Sequence, residues 1–250
     1  MQPTTDYSLL VLATQYSFSA VFAGLFASEI YFHMESNNLT PKYSTVASLC
    51  MMTVAIAAIN YSYMKGVVGL DGKFSSISKF TTSFRYADWI LTTPIILSVL
   101  VVLTGSNKSA GLITKLVISD MVMILLGYIG EVSINQAGGG TVTGWECFVL
   151  SCFAFVYILI TVYGELSEAA ADMNSSLRGK FNILQTYILI VWCVYPLGYL
   201  VTLIGFKNDL LVVRELIYCI ADLIAKGGFG MMAVSLAKQL SLEEVNYRQH

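Results

Sequence analysis

Charge is what this chain has least of. Only 12% of its 250 residues are charged, against 56% hydrophobic, and the mean hydropathy is +0.69. Soluble domains carry about 25% charged residues, so this composition excludes an ordinary soluble protein. Neither sign is in excess, with 14 Lys and Arg against 16 Asp and Glu and a net charge of −2. That excludes the basic footprint of a nucleic-acid binder. Histidine is nearly absent: His33 falls at a segment end and His250 at the C-terminus, and neither has ligand spacing to a partner. The five cysteines, Cys50, Cys147, Cys152, Cys193 and Cys219, all lie in apolar segments without metal-site spacing. They read as small apolar packing residues, and no metal site is expected. The N-terminal MQPTTDYS has no positive region and no cleavage pattern, so no signal peptide is expected.

What is abundant is long apolar sequence. A membrane-spanning helix needs about 20 predominantly apolar residues. Seven segments meet that length: Ser8–His33, Tyr43–Gly66, Phe84–Thr104, Gly111–Glu131, Gly144–Tyr163, Ile183–Gly205 and Leu211–Lys238. The short connections ESNNLTPK, GLDGKFSSISK, GSNKS, NQAGGGTVT, EAAADMNSSLRGK and FKND hold the turn residues and leave no room for a soluble domain. The expected fold class is an all-α membrane protein, a seven-helix bundle in one domain spanning residues 1–250. An odd helix number puts the termini on opposite sides. Lys/Arg counting does not orient it. One side holds Lys42, Lys108, Lys115, Arg178, Lys180, Lys238 and Arg248, and the other Lys65, Lys73, Lys79, Arg85, Lys207 and Arg214.

Within these segments a few polar residues are out of place. The seventh contains IADLIAKGGFG, with Lys226 deep in apolar sequence and Asp222 four residues earlier on the same helical face. An ionisable residue at membrane depth marks a functional site by default. Two readings stand on these residues alone. One is a buried structural ion pair. The other is a desolvated, nucleophilic lysine that forms a Schiff base with a carbonyl compound, with Asp222 as counter-ion.

The third segment, RYADWILTTPIILSVLVVL, sets Arg85, Asp88 and Thr92 on one face. They form either a structural pair near a helix end or part of a charged interior. Beyond Thr92 that face continues through Ile95, Ile96 and Val99 with no further carboxylate. The sixth carries VWCVYPLGYL, where Trp192, Tyr195, Pro196 and Tyr199 make an aromatic face around a proline. Asn60 in the second segment needs hydrogen-bond partners and is expected to face the interior. Glu29 in the first either snorkels from near the helix end or faces that interior. The fourth carries Asp120 and ends at Glu131.

RYADW…TTP, WxxYPxGY and D-x-x-x-K, in this order and on the third, sixth and seventh segments, resemble the microbial rhodopsins, the seven-helix retinal-binding family. The resemblance covers essentially the whole chain. AINYSYMKGV, LGYIGE and YPLGYL are similar to proteorhodopsin-like pumps, and the TTP to bacteriorhodopsin. It implies all-trans retinal on Lys226 as a protonated Schiff base. Asp88 matches the primary counter-ion and proton acceptor, Asp222 the second counter-ion, and Arg85 the arginine that tunes the acceptor and gates release. Thr92 matches the threonine that hydrogen-bonds the acceptor. Tyr86, Trp89, Thr93, Met123, Gly127, Ser151, Trp192, Tyr195, Pro196 and Tyr199 match the retinal pocket, and Asn60 and Tyr61 the counter-ion network.

Two departures follow from the same comparison. Asn60 stands where proteorhodopsins usually have a histidine paired with the acceptor. Val99 stands at the proton-donor position, so the donor is lost and slow reprotonation is expected. Ile96, at the tuning position, implies green absorption, and Phe148, at a position small in antenna-binding relatives, implies no carotenoid antenna.

The function implied is an outward light-driven proton pump, a photoactive transporter in a lipid membrane rather than an enzyme. Its cargo would be protons and its N-terminus would lie outside. Homo-oligomers are common among such relatives. The alternatives are a sensory photoreceptor with a separate transducer, a light-gated channel, or an inward proton pump.

Overall fold

The computed structural model describes residues 8–77, 80–105, 109–205 and 209–248. The expectations touching residues 1–7, Lys79, Lys108, Lys207 and His250 lie outside them, as does the side chain of Arg248. Seven long helices account for nearly all of the described chain: α1 (Leu9–Ser36), α2 (Pro41–Val68), α3 (Ser83–Thr104), α4 (Ser109–Ala137), α5 (Val142–Ala169), α6 (Ser175–Leu203) and α7 (209–248). A short helical turn, Phe74–Ile77, lies between α2 and α3. In hydrocarbon every backbone N–H and C=O must be satisfied within the segment, so long apolar runs become helices.

Each helix extends past its apolar stretch where capping chemistry allows. Pro41, which has no N–H to lose, opens α2. The Thr141 hydroxyl caps α5 by accepting from Gly144 N at 2.9 Å, and Asn174 Oδ1 caps α6 by accepting from Leu177 N at 3.0 Å. Gly105, at φ 62°, closes α3 in the left-handed conformation glycine tolerates. The fourth helix continues to Ala137 rather than ending at Glu131, which buries Glu131 at 1% exposure inside the bundle.

Among the described residues, six helices are long and apolar enough to span a membrane by composition. The seventh carries Arg214, Glu215, Asp222 and Lys226, all of them buried. The helices close into a ring. Each packs on its chain neighbours, α7 returns to α1, and α7 also touches α2. Polarity is inverted relative to a soluble protein. Leu91, Phe153, Ile160, Ile183 and Leu197 are exposed on the outside, while Arg85, Asp88, Asp120, Glu131, Arg214, Glu215, Asp222 and Lys226 lie within.

Two helices are irregular where the interior is polar. In α6, Pro196 has no N–H for the Trp192 carbonyl, and the helix breaks at Cys193. In α7, residues Ile224–Gly228 form a π-helical turn that contains Lys226, an irregularity frequent at functional sites. A second π-helical turn, Val162–Leu166, lies in α5. The Gln185 amide donates to the Val162 carbonyl there at 3.0 Å.

Candidate functional site

Lys226 is 2% exposed and points its ammonium between two carboxylates from different helices. Nζ donates to Asp88 Oδ2 at 2.8 Å and to Asp222 Oδ1 at 2.9 Å. The i, i+4 spacing accounts for the second contact, and only the packing of α3 against α7 supplies the first. All three side chains are sealed from solvent, where removing one member of an ion pair costs about 3–5 kcal/mol.

The two carboxylates are not equivalent. Asp222 accepts five hydrogen bonds: from Lys226, Trp89 Nε1 (3.0 Å) and the Tyr195 hydroxyl (2.9 Å) at Oδ1, and from the Tyr61 hydroxyl (2.7 Å) and Arg85 Nη1 (3.1 Å) at Oδ2. Asp88 accepts one side-chain hydrogen bond, from Lys226, and its Oδ1 is buried with no partner among the described residues. Donors stabilise a carboxylate's charged form, and the two carboxylates differ in this respect, with five donors on Asp222 and one on Asp88.

Beside this cluster lies a cavity walled by aromatic and small side chains. All ten residues of the sequence-expected pocket line it: Tyr86, Trp89, Thr93, Met123, Gly127, Ser151, Trp192, Tyr195, Pro196 and Tyr199. Ile124, Phe148, Cys152 and Phe155, which the motifs did not single out for it, complete the wall. Phe148 stacks on Tyr199 with ring centroids 5.4 Å apart. Trp89 and Tyr195 belong to both places, lining the cavity and bonding Asp222. A long apolar polyene with one reactive end fits this arrangement: an apolar slot, a buried amine, and an unsatisfied carboxylate oxygen where a polar partner is needed.

On the side where α3 and α7 begin, the charges continue. Arg85 does not pair with Asp88, although both lie on one face of α3. Its guanidinium bridges Asp222 and Glu215, with Nε 2.9 Å from Glu215 Oε2 and Nη2 donating to Cys219 Sγ at 3.3 Å. Glu215 Oε1 accepts from Arg214 Nη2 at 2.8 Å, and Arg214 Nη1 reaches Glu131 at 3.2 Å. Arg214, counted above among the charges of one membrane side, is 9% exposed and internal. Cys219 is a hydrogen-bond partner rather than mere packing, and Cys193 faces outward. Glu215, Arg214 and Tyr218 were missed by motif reading. The signal was present: Glu215, Cys219, Asp222 and Lys226 recur at helical spacing on one face of α7.

The other expected residues are placed as follows. Thr92 gives its hydroxyl to the Asp88 backbone carbonyl at 3.0 Å. That is the usual satisfaction of a threonine in a helix interior. The Asn60 amide is half-buried and donates to the Phe84 carbonyl at 2.7 Å, tying α2 to the start of α3. Val99 is 1% exposed and sits in the main apolar core with Ile96, Leu97 and Leu100. Glu29 is half-buried on α1. Thr93 donates to Asp120 Oδ2 at 2.6 Å, an α3–α4 bond that the sequence did not announce.

A family profile described as "Bacteriorhodopsin-like protein" matches residues 12–240. The chain is 42% identical to the rhodopsin of Exiguobacterium sibiricum, whose crystal structure superposes with a TM-score of 0.89 over 94% of this chain and 99% of that one. It is similar to xanthorhodopsin, titled a light-driven ion pump with dual chromophore, at 28% identity and a TM-score of 0.86, over 95% of this chain and 97% of that one. It is 29% identical to the green-light absorbing proteorhodopsin of a gamma-proteobacterium, over 90% of this chain and 86% of that protein. With a family profile across most of its length and the seven-helix architecture described above, the chain belongs to the bacteriorhodopsin-like family, the microbial rhodopsins, multi-pass membrane proteins whose cofactor is retinal bound as a Schiff base.

Proposed function

We propose that the protein is a light-driven outward proton pump in which Lys226 carries retinal, Asp88 accepts the proton and Asp222 stays charged. The observation that carries this reading is the unequal bonding of the two carboxylates, five donors on Asp222 against one on Asp88. Proteorhodopsin and xanthorhodopsin, both similar to this chain, support a light-driven pump in general.

Retinal, when bound, supplies the light-driven isomerisation that disturbs the setting of the Lys226 nitrogen. The chain's own residues do the rest. In the dark, Lys226 Nζ holds its proton between Asp88 and Asp222. Once that pairing is upset, the proton has one nearby base with spare acceptor capacity, Asp88 at 2.8 Å. Transfer leaves Lys226 and Asp88 both neutral, while Arg85 keeps Asp222 compensated. Trp89 and Tyr195 orient Asp222 and exclude water from it. Release then follows the charged side of the bundle, through Arg85, Glu215, Arg214 and Glu131, which the proposal sets outside together with the N-terminus. Reprotonation must cross the apolar side around Val99, with no acid at that position. Moving one charge against 100 mV takes about 2.3 kcal/mol.

The whole chain is read as one retinal-binding domain with a single chromophore, Phe148 filling the wall against Tyr199. Association into homo-oligomers belongs to the same reading.

A second reading has its own observation. An apolar Val99 suits a slow photocycle, and a slow cycle suits a sensory photoreceptor acting through a separate transducer. The test is the light-induced pH change in a suspension of cells expressing the protein with retinal, with and without a protonophore. Acidification abolished by the protonophore supports the pump. Alkalinisation reverses the direction and the role given to Asp88. A coloured, photocycling sample that moves no protons favours the sensor, and patch-clamp current would instead reveal a channel.

A further inference from the structure

Lys226 sits inside the π-helical turn Ile224–Gly228, and that turn is not held by backbone alone. In a regular α-helix the Ile224 carbonyl would accept from the N–H four residues on, at Gly228. Here the N–H of Phe229, five residues on, bonds it instead. A carbonyl has a second lone pair, and a side chain of another helix takes it: the Tyr187 hydroxyl of α6 donates to the Ile224 carbonyl at 2.9 Å. Gly228 leaves the room for this bond, since a Cβ at that position would collide with the Tyr187 hydroxyl oxygen. From α1, Ser28 Oγ also comes close, 2.9 Å from where a Cβ on Gly227 would stand, but it donates to the Gly24 carbonyl at 2.8 Å. Of these two hydroxyls it is Tyr187 that bonds the turn. Two residues before Tyr187, the Gln185 amide bonds the Val162 carbonyl in the π-helical turn of α5. Helix α6 thus gives a side-chain donor to each of these two turns.

We propose that Tyr187 is a positioning residue for Lys226: its hydroxyl, admitted by Gly228, holds α7 in the π-helical turn and so aims Nζ between Asp88 and Asp222. The reason is a choice between two registers. Closing the turn to a regular helix would return the Ile224 carbonyl to the Gly228 N–H and take one residue out of the turn. At 3.6 residues per turn that rotates the segment beyond it by about 100° against the segment before it. Asp222 lies before the turn and Lys226 within it. The rotation would draw Nζ away from the carboxylates it now meets at 2.8 and 2.9 Å. A hydroxyl seated on the Ile224 carbonyl beside Gly228 opposes that closure. Tyr187 is outside the cavity wall described above, so a colour change on its substitution reports on Lys226 rather than on the pocket.

The proposal rests on Lys226 being the lysine that carries retinal. The test is dark-state absorption of purified, retinal-loaded Tyr187→Phe, Gly228→Ala and the double variant. A protonated imine whose carboxylates are less well placed loses ground-state stabilisation at its nitrogen, so its absorption moves to the red. Y187F removes the donor, and G228A pushes it off the carbonyl. Each should shift the maximum to the red, and the double variant should shift no further than the larger single one. A purely steric role for Gly228 gives another pattern: Y187F equal to wild type, G228A shifted, and the double variant restored, because phenylalanine leaves room for the methyl. That pattern, or two single variants equal to wild type, overturns the proposal while leaving the pump intact. A second readout needs no retinal. With isotopically labelled isoleucine carbonyls, the infrared difference between retinal-free wild type and Y187F should show one amide band moving to higher frequency as the carbonyl loses a bond. Absence of that band overturns the proposal. Should G228A form no pigment, Y187F decides alone by these two readouts. Pigment formed by Lys226→Ala would overturn the assignment of Lys226 and this proposal with it.

Discussion

Replacing Val99 by aspartate puts a carboxyl at the position proposed for the proton donor, and the structure sets what should follow. Val99 is eleven residues beyond Asp88 on α3, about 16 Å along the axis at 1.5 Å per residue. It is 1% exposed among Ile96, Leu97 and Leu100. On the proposed reading, with no acid at that position, the proton that restores Lys226 has to come from bulk water. Decay of the deprotonated intermediate in the wild type should therefore slow about tenfold for each unit of rising pH, because a tenfold fall in proton concentration is a tenfold fall in rate. In V99D the buried carboxyl has no cation beside it and rests neutral, carrying a proton. A positioned donor contributes about 10²-fold or more, so at alkaline pH the variant should decay at least that much faster and lose most of its pH dependence. An unpaired polar group in this core should also destabilise the fold by about 1–3 kcal/mol. Flash photolysis across pH, with thermal melting in parallel, measures both. A wild type whose decay is fast and independent of pH would refute the reasoning and direct attention to another donor, Glu29 first.

Other outcomes follow from single contacts. Asp88→Asn should shift absorption to the red and abolish the deprotonated intermediate in flash experiments, because the base 2.8 Å from Lys226 Nζ is gone. Gln185→Leu should lower thermal stability by about 1–3 kcal/mol, since the Val162 carbonyl loses the amide that bonds it in the π-helical turn of α5. Gly198→Ala should reduce pigment yield, with an overpacking cost of about 1–3 kcal/mol: a methyl there meets the Tyr218 ring, whose hydroxyl is already committed to the Tyr195 carbonyl.

How much of this was legible in the chain depended on the range of the interaction. Lys226 and Asp222 announced themselves because both lie on one helix four residues apart, in apolar sequence where charge is conspicuous. The aromatic wall was legible through resemblance, as motif residues in fixed order. The partnership of Arg85 was not. On α3 it is three residues from Asp88, and that spacing suggests a pair. The guanidinium instead reaches past its own helix to Asp222 and Glu215. Arg214 and Glu131 looked like helix-end charges because apolar stretches were used to draw the boundaries. The helices run on past those stretches, and both side chains turn inward. Asp120 waited on α4 with no local partner to explain it; its hydrogen bond is to Thr93, twenty-seven residues away. Asn60 lay on the right helix, but its amide serves the Phe84 backbone rather than the lysine cluster.

The uneven filling of the bundle has an electrical consequence. One half, from Lys226 to Glu131, is a ladder of fixed ions that responds to an applied field by small displacements of many charges. The other half, around Val99, packs mainly as an apolar core with less to polarise. A transmembrane voltage divides between two such layers as it does between capacitors in series, and most of it drops across the layer that polarises least. Proton transfer from Lys226 to Asp88 covers only 2.8 Å at the boundary of the two and should hardly sense that voltage. Return of a proton through the apolar half crosses most of it, so the voltage dependence of any photocurrent should reside in the recovery step.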